Sequence, residues 1–136
     1  MSSGNAELVQ KVLGAYLTGD EDTLREMIPP EGEIYGAPGI INAGTYHGYE
    51  GFQAWVRQWN EAWDEVNYEL GEMIEVSDFI VVVPAHVVGK GAVSGLEIDS
   101  VFGWMYEFRD GKAVRFHTYA TVDDALEAAR RLSGAG

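Results

Sequence analysis

Residues 98–121, IDSVFGWMYEFRDGKAVRFHTYAT, constrain the fold more than any other stretch. Asp110-Gly111 stands between two apolar, aromatic runs, a strong short-range signal for a β-hairpin. The predicted turn is Arg109-Asp110-Gly111-Lys112. Side chains alternate along a strand. One face of the first arm therefore carries Ile98, Ser100, Phe102, Trp104, Tyr106 and Phe108. The other carries Asp99, Val101, Gly103, Met105 and Glu107. Trp104 sits in the middle of the aromatic face, and what that face covers is the central question.

The segments before the hairpin supply a cover. Leu8, Val9, Val12, Leu13 and Tyr16 have helical spacing within 5–18. Gly19 ends that helix, and Asp20 is the expected N-cap of a second, 21–28. Pro29-Pro30 stops it, because proline disfavours helical geometry in the preceding residue. A short strand is expected at 33–35, then a glycine-rich loop, then a third helix over about 49–64. On that helix Phe52, Trp55, Val56, Trp59 and Trp63 form one stripe. Strands are expected at 66–76 and 79–88. The second, FIVVVPAHVV, is so continuously apolar that it reads as buried on both faces. Gly89-Lys90-Gly91 and Ser94-Gly95 break the chain before the hairpin. The final helix runs from about 122 to 132, with Thr121 as N-cap, acids first and arginines last, as the helix dipole favours. Helices first, then a β-meander, then a closing helix make an α+β domain.

With 136 residues the chain is expected to form one domain, 1–136. Its net charge of −13 disfavours nucleic acid, whose backbone needs clustered Lys and Arg. It has no cysteine, which excludes disulfides and thiolate chemistry. No apolar run reaches the roughly 18 residues of a membrane span. The N-terminus lacks a basic region followed by an apolar one, so a cytoplasmic protein is expected.

The order of several weak motifs points to a family. They run Tyr16-Leu17-Thr18-Gly19-Asp20, Tyr46-His47-Gly48-Tyr49-Glu50-Gly51, Trp59-x-x-x-Trp63-Asp64, Val81-Val82-Val83 and Gly89-Lys90-Gly91-x-x-Ser94-Gly95. Phe108-Arg109-Asp110-Gly111-Lys112 and Tyr119 ahead of Asp124-Ala125-Leu126-Glu127-Ala128 complete the series. The chain resembles the SnoaL-like branch of the nuclear transport factor two-like superfamily along essentially its whole length. That resemblance implies a cone-shaped, curved, mostly antiparallel sheet wrapped around the N-terminal helices, with a pocket at the wide end. Relatives include polyketide cyclases, ketosteroid isomerases, limonene epoxide hydrolases and non-enzymatic binding or assembly domains, so the fold does not set the function.

The family's proton-transfer positions hold other residues here. The isomerase tyrosine, base and oxyanion aspartate fall at Val12, Gly36 and Trp104. The cyclase histidine and aspartate fall at Trp104 and Thr118. The hydrolase groups fall at Thr118 and near Pro84 and His86. Threonine does not take up or release a proton by titration near neutral pH, and tryptophan only donates.

Parity predicts an aromatic chamber for a small hydrophobic molecule, made by Tyr16, Trp55, Trp59, Val82, His86, Phe102, Trp104, Tyr106, Phe116 and Thr118. A single β-bulge would reverse these assignments downstream of it. Trp104 either lines this chamber or fills it. His86 is the one candidate acid–base catalyst, weighed against a buried neutral histidine with satisfied hydrogen bonds. No metal site or cofactor is expected, since the three histidines are scattered. Val81, Val83, Ala85, Val87, Val101, Gly103 and Met105 would then form the outer sheet face, an apolar patch that predicts a homodimer. Three functions stay open: a binding domain, an enzyme of cyclase, hydrolase or isomerase type using His86, and a dimeric assembly domain with a vestigial pocket.

Overall fold

The structure, a computed structural model, describes residues 3–38, 43–91 and 97–134. The elements run α1 (Ser3–Thr18), α2 (Glu21–Met27), β1 (Glu33–Gly36), β2 (Gly44–His47), α3 (Gly48–Ala62), β3 (Trp63–Leu70), β4 (Ile74–Glu75), β5 (Ile80–Gly91), β6 (Glu97–Arg109), β7 (Lys112–Tyr119) and α4 (Val122–Leu132). The strands form one mixed sheet in the order β2-β1-β7-β6-β5-β3, with β4 also paired to β5. Among the described residues only β1 and β7 run parallel.

Local chemistry accounts for the ends of the elements. Asp110 and Gly111 take φ of 53° and 76°, the two-residue turn whose twist matches the flanking strands. Gly19, at φ 74°, closes α1. Asp20 then caps α2 by accepting from the Thr23 amide. Thr121 caps α4 by accepting from the Asp124 amide.

Pairing overrides the sequence pattern in three places. α3 stops at Ala62, two residues short of its expected end, because Trp63 turns extended and pairs with Gly91. The expected strand 66–76 divides into β3 and β4, both paired to β5. The expected break at Gly89-Lys90-Gly91 is absent, and β5 runs through it. Gly89 is glycine for a close approach, not for a turn: a Cβ there would lie 2.9 Å from the Glu65 carbonyl oxygen. Ser94-Gly95 lies outside the described residues.

Register decides the faces, and it corrects the parity expected for β5. Val83 pairs with Trp104, Ala85 with Phe102 and Val81 with Tyr106. Paired residues share a face, so Val81, Val83, Ala85 and Val87 point inward and join the main core with α1, α2 and α3. Val82 and His86, expected inside, point outward. Val82 packs with Ile80 and Met105 beneath Ala125 and Ala129 of α4. The expected outer patch is therefore mostly not outer: four of its residues are interior, and α4 covers Met105. Gly103 is the point of contact, since a Cβ there would sit 2.5 Å from Ala125 Cβ. Val101 remains, 47% exposed. A run such as Ile80–Val83 has no alternation to say which residues face in, so only the pairing with β6 could decide.

Candidate functional site

The sheet curves around the helices and encloses an apolar chamber with about 50 Å3 of free volume. α1 contributes Val12, Leu13 and Tyr16; α3 contributes Phe52, Trp55 and Trp59. β6 adds Phe102, Trp104 and Tyr106, and β7 adds Phe116 and Thr118. Eight of the residues expected from sequence thus line one space, and Val82 and His86 do not. Tyr68 of β3 also lines it and was not singled out from the sequence. Its one signal was weak alternation along a strand whose place in the sheet was unknown.

Trp104 both packs and lines. It is 8% exposed, meets Phe116 nearly perpendicularly at 6.0 Å, and tilts against Tyr68 at 5.7 Å. Trp59 meets Phe102 edge-on, and Trp55 meets Phe116 likewise. Some free volume survives between these rings. A water needs about 10–15 Å3 on a comparable measure and benzene occupies a cavity of about 150 Å3. The free volume therefore suits a few waters and is smaller than a cavity that holds a benzene ring.

A groove between α1, α2 and α3 adjoins the chamber, and Tyr16, Phe52 and Tyr68 border both spaces. Polar groups concentrate at this boundary. Trp59 Nε1–H donates to the Tyr68 hydroxyl at 2.6 Å. Tyr16 lies close enough to Tyr68 to feel its charge. Burial, the first cause in each case, raises the pKa of Tyr16, Tyr68 and Tyr106 above the usual phenol range. All three stay protonated at neutral pH. Thr118, directly opposite Trp104 in the hairpin, donates its hydroxyl to the Tyr35 carbonyl at 3.2 Å.

The ion-pairing groups lie on the outer face. His86 Nε2 is 2.5 Å from Asp99 Oδ1, and the two side chains are 37% and 74% exposed. That is a surface pair across the sheet from the chamber. Glu33 borders the chamber, but its carboxylate meets His117 Nε2 at 2.7 Å. His117 Nδ1 lies 3.3 Å from the Tyr119 hydroxyl. Buried Glu107 is held by Arg109 at 2.9 Å and by Arg115. Burial pulls the His117 pKa down more strongly than Glu33 lifts it. His117 is on the outer face but only 7% exposed. Among the described residues no group of three His, Asp or Glu side chains is placed to hold a metal ion. No helix among them is long and apolar enough to cross a membrane.

Solved structures share this fold at low identity. An NTF2-like protein from Burkholderia xenovorans LB400 superposes with a TM-score of 0.80 at 20% identity, covering 95% of this chain and 97% of that one. A protein from Jannaschia sp. CCS1, described as a SnoaL-like polyketide cyclase, gives 0.74 at 17%, covering 94% and 92%. TerC, co-crystallised with polyporic acid, gives 0.73 at 19%, covering 91% and 98%. No curated protein matches the chain in sequence. The family model of the SnoaL-like domain matches residues 9–116, most of the chain. By that match and this curved sheet closed over three helices, the chain belongs to the SnoaL-like domain family.

Proposed function

We propose that this protein binds a small hydrophobic molecule in the aromatic chamber, and that binding, not proton transfer by a family dyad, is its activity. One observation carries the reading: the chamber wall is mostly apolar side chains and neutral hydroxyls, the carboxylate of bordering Glu33 is tied to His117, and Trp104 faces Thr118 where the resemblance puts the cyclase pair. A positioned acid or base contributes about 10²–10⁴-fold to a rate, and neither residue offers one. The shared fold of TerC, solved with polyporic acid, supports a small molecule as the class of ligand. An enzyme working through His86 lacks support, because that imidazole sits on the opposite sheet face beside Asp99.

Native mass spectrometry of freshly purified protein is expected to show a bound small molecule. Tryptophan emission is expected to shift when small aromatic or terpenoid compounds are added. No bound mass and no emission change across such a set would overturn the reading.

A second reading has its own observation. Val88 and Val101 are both exposed on the part of the outer face that α4 leaves uncovered. This strip favours a homodimer, and light scattering that finds a monomer at micromolar concentration would sink it. A cytoplasmic location accords with the composition.

A further inference from the structure

We propose that the ligand is an elongated amphipathic molecule with an uncharged polar end, its slender apolar end in the chamber and its body in the groove between α1, α2 and α3. The inference rests on the chamber being a binding site.

Size separates the two spaces. The chamber holds about 50 Å3 and the adjoining groove about 670 Å3. Sites for drug-sized molecules usually measure about 300–1,000 Å3. The groove, not the chamber, has space for the body of a ligand. Tyr16, Phe52 and Tyr68 border both spaces, so one molecule can lie across them with only a narrow end inside.

The shape follows from α3. Tyr49, Gln53, Val56 and Asn60 line the groove, and their steps of four, three and four put them on one helix face. At about 1.5 Å per residue that face runs about 16 Å, which suits a long occupant. α1 and α2 contribute Leu17 and Leu24. Leu17 is 66% exposed, apolar surface that an alkyl chain would take out of water.

Polarity selects the other end. The half-buried polar groups of the groove are Tyr16, Tyr49, Gln53 and Tyr68, all neutral near pH 7. Its charged groups, Glu21, Arg57 and Glu61, are exposed, and exposed charges hold a partner weakly. An ionic end lying against the neutral groups would lose hydration without gaining a counter-ion. An alcohol or amide end keeps its hydrogen bonds there. Gln53 is placed to make one. Its Nε2 lies 3.4 Å from both Glu21 Oε1 and the Tyr49 hydroxyl, longer than an ordinary N–H···O bond, so turning to a ligand gives up little.

The test uses octan-1-ol, octanoate and octylammonium, which share one chain and differ in the charge of the end. Each is titrated into the protein at pH 7 and followed by amide NMR. The alcohol is expected to bind about tenfold tighter than either ion. It is expected to shift signals of the groove residues Leu17, Gln53 and Asn60 together with those of Phe102 and Trp104 in the chamber. Gln53→Leu is expected to weaken the alcohol about fivefold, the size of one hydrogen bond. Leu17→Gln, at an exposed position, is expected to weaken it as well. An ion that binds as tightly as the alcohol overturns the proposal, and so does an affinity that neither variant changes. Shifts confined to one of the two spaces also overturn it; if they are confined to the chamber, the chamber still stands as a site. Failure of all three compounds to bind overturns the proposal and counts against the binding reading with it. Should Gln53→Leu fail to fold, Leu17→Gln and the order of the three affinities decide.

Discussion

The two faces of the β5–β6–β7 sheet are built from alternate residues of the same strands, yet they do opposite chemistry. The inner face presents Phe102, Trp104, Tyr106 and Phe116, with hydroxyls as its polar atoms and free volume between its rings. The outer face presents Met105, Glu107, Arg115 and His117, tied into ion pairs or pressed beneath α4. Polar groups close to one another tend to be satisfied by one another. The outer face has done this: Glu107, Arg109, Arg115, Glu33 and His117 are partners of one another. The inner face offers no such network, since apolar side chains and neutral hydroxyls make up most of the chamber wall. In this domain, richness in titratable groups marks the structural face, and free volume between rings marks the candidate site.

Three variants test this contrast, in order of expected effect. Trp104→Ala removes a buried ring from the chamber wall and should cost about 3–5 kcal/mol in urea unfolding, the usual range for a buried tryptophan. A cost well below that range would mean the wall is loose, which would widen the difference between the faces. Gly103→Ala places a methyl 2.5 Å from Ala125 Cβ and 2.7 Å from the Thr121 carbonyl oxygen. It should cost about 1–3 kcal/mol through overpacking. The melting temperature should fall while the near-ultraviolet signal of the chamber tryptophans persists. An unchanged melting temperature would break the claim that α4 is seated against the sheet.

The smallest effect concerns His117. Burial holds its folded pKa below the 6.5 of an ordinary histidine. Between the two values the unfolded chain binds more protons, so stability rises with pH there. The contribution is present above about pH 6.5 and lost as pH falls through the folded value. His117→Gln should flatten that part of the stability–pH curve measured by urea unfolding. A slope unchanged by the substitution would remove His117 from the outer network.

Much of the fold was legible because its signals are local. Asp110-Gly111 specifies a turn by demanding two positive φ angles. Asp20 and Thr121 specify helix starts through their own side chains. The inner face of β6 was legible too, since its aromatic residues alternate with smaller or polar ones. The candidate site is legible only in part. Tyr16, Trp55, Trp59, Phe102, Trp104, Tyr106, Phe116 and Thr118 do line one space. Val82 and His86 were misplaced because a continuous apolar strand carries no parity signal, and the sheet is apolar on both sides once α4 covers it.

The order of elements, the hairpin turn, the helix caps and the aromatic character of the β6 face are written locally in the chain. Each depends on residues a few positions apart, so short-range geometry is enough. The inward face of β5, the place of His86 across the sheet from the chamber, and the Trp59–Tyr68 hydrogen bond emerge only on folding. These depend on register and helix docking, which bring together residues whose separation along the chain carries no trace of their contact.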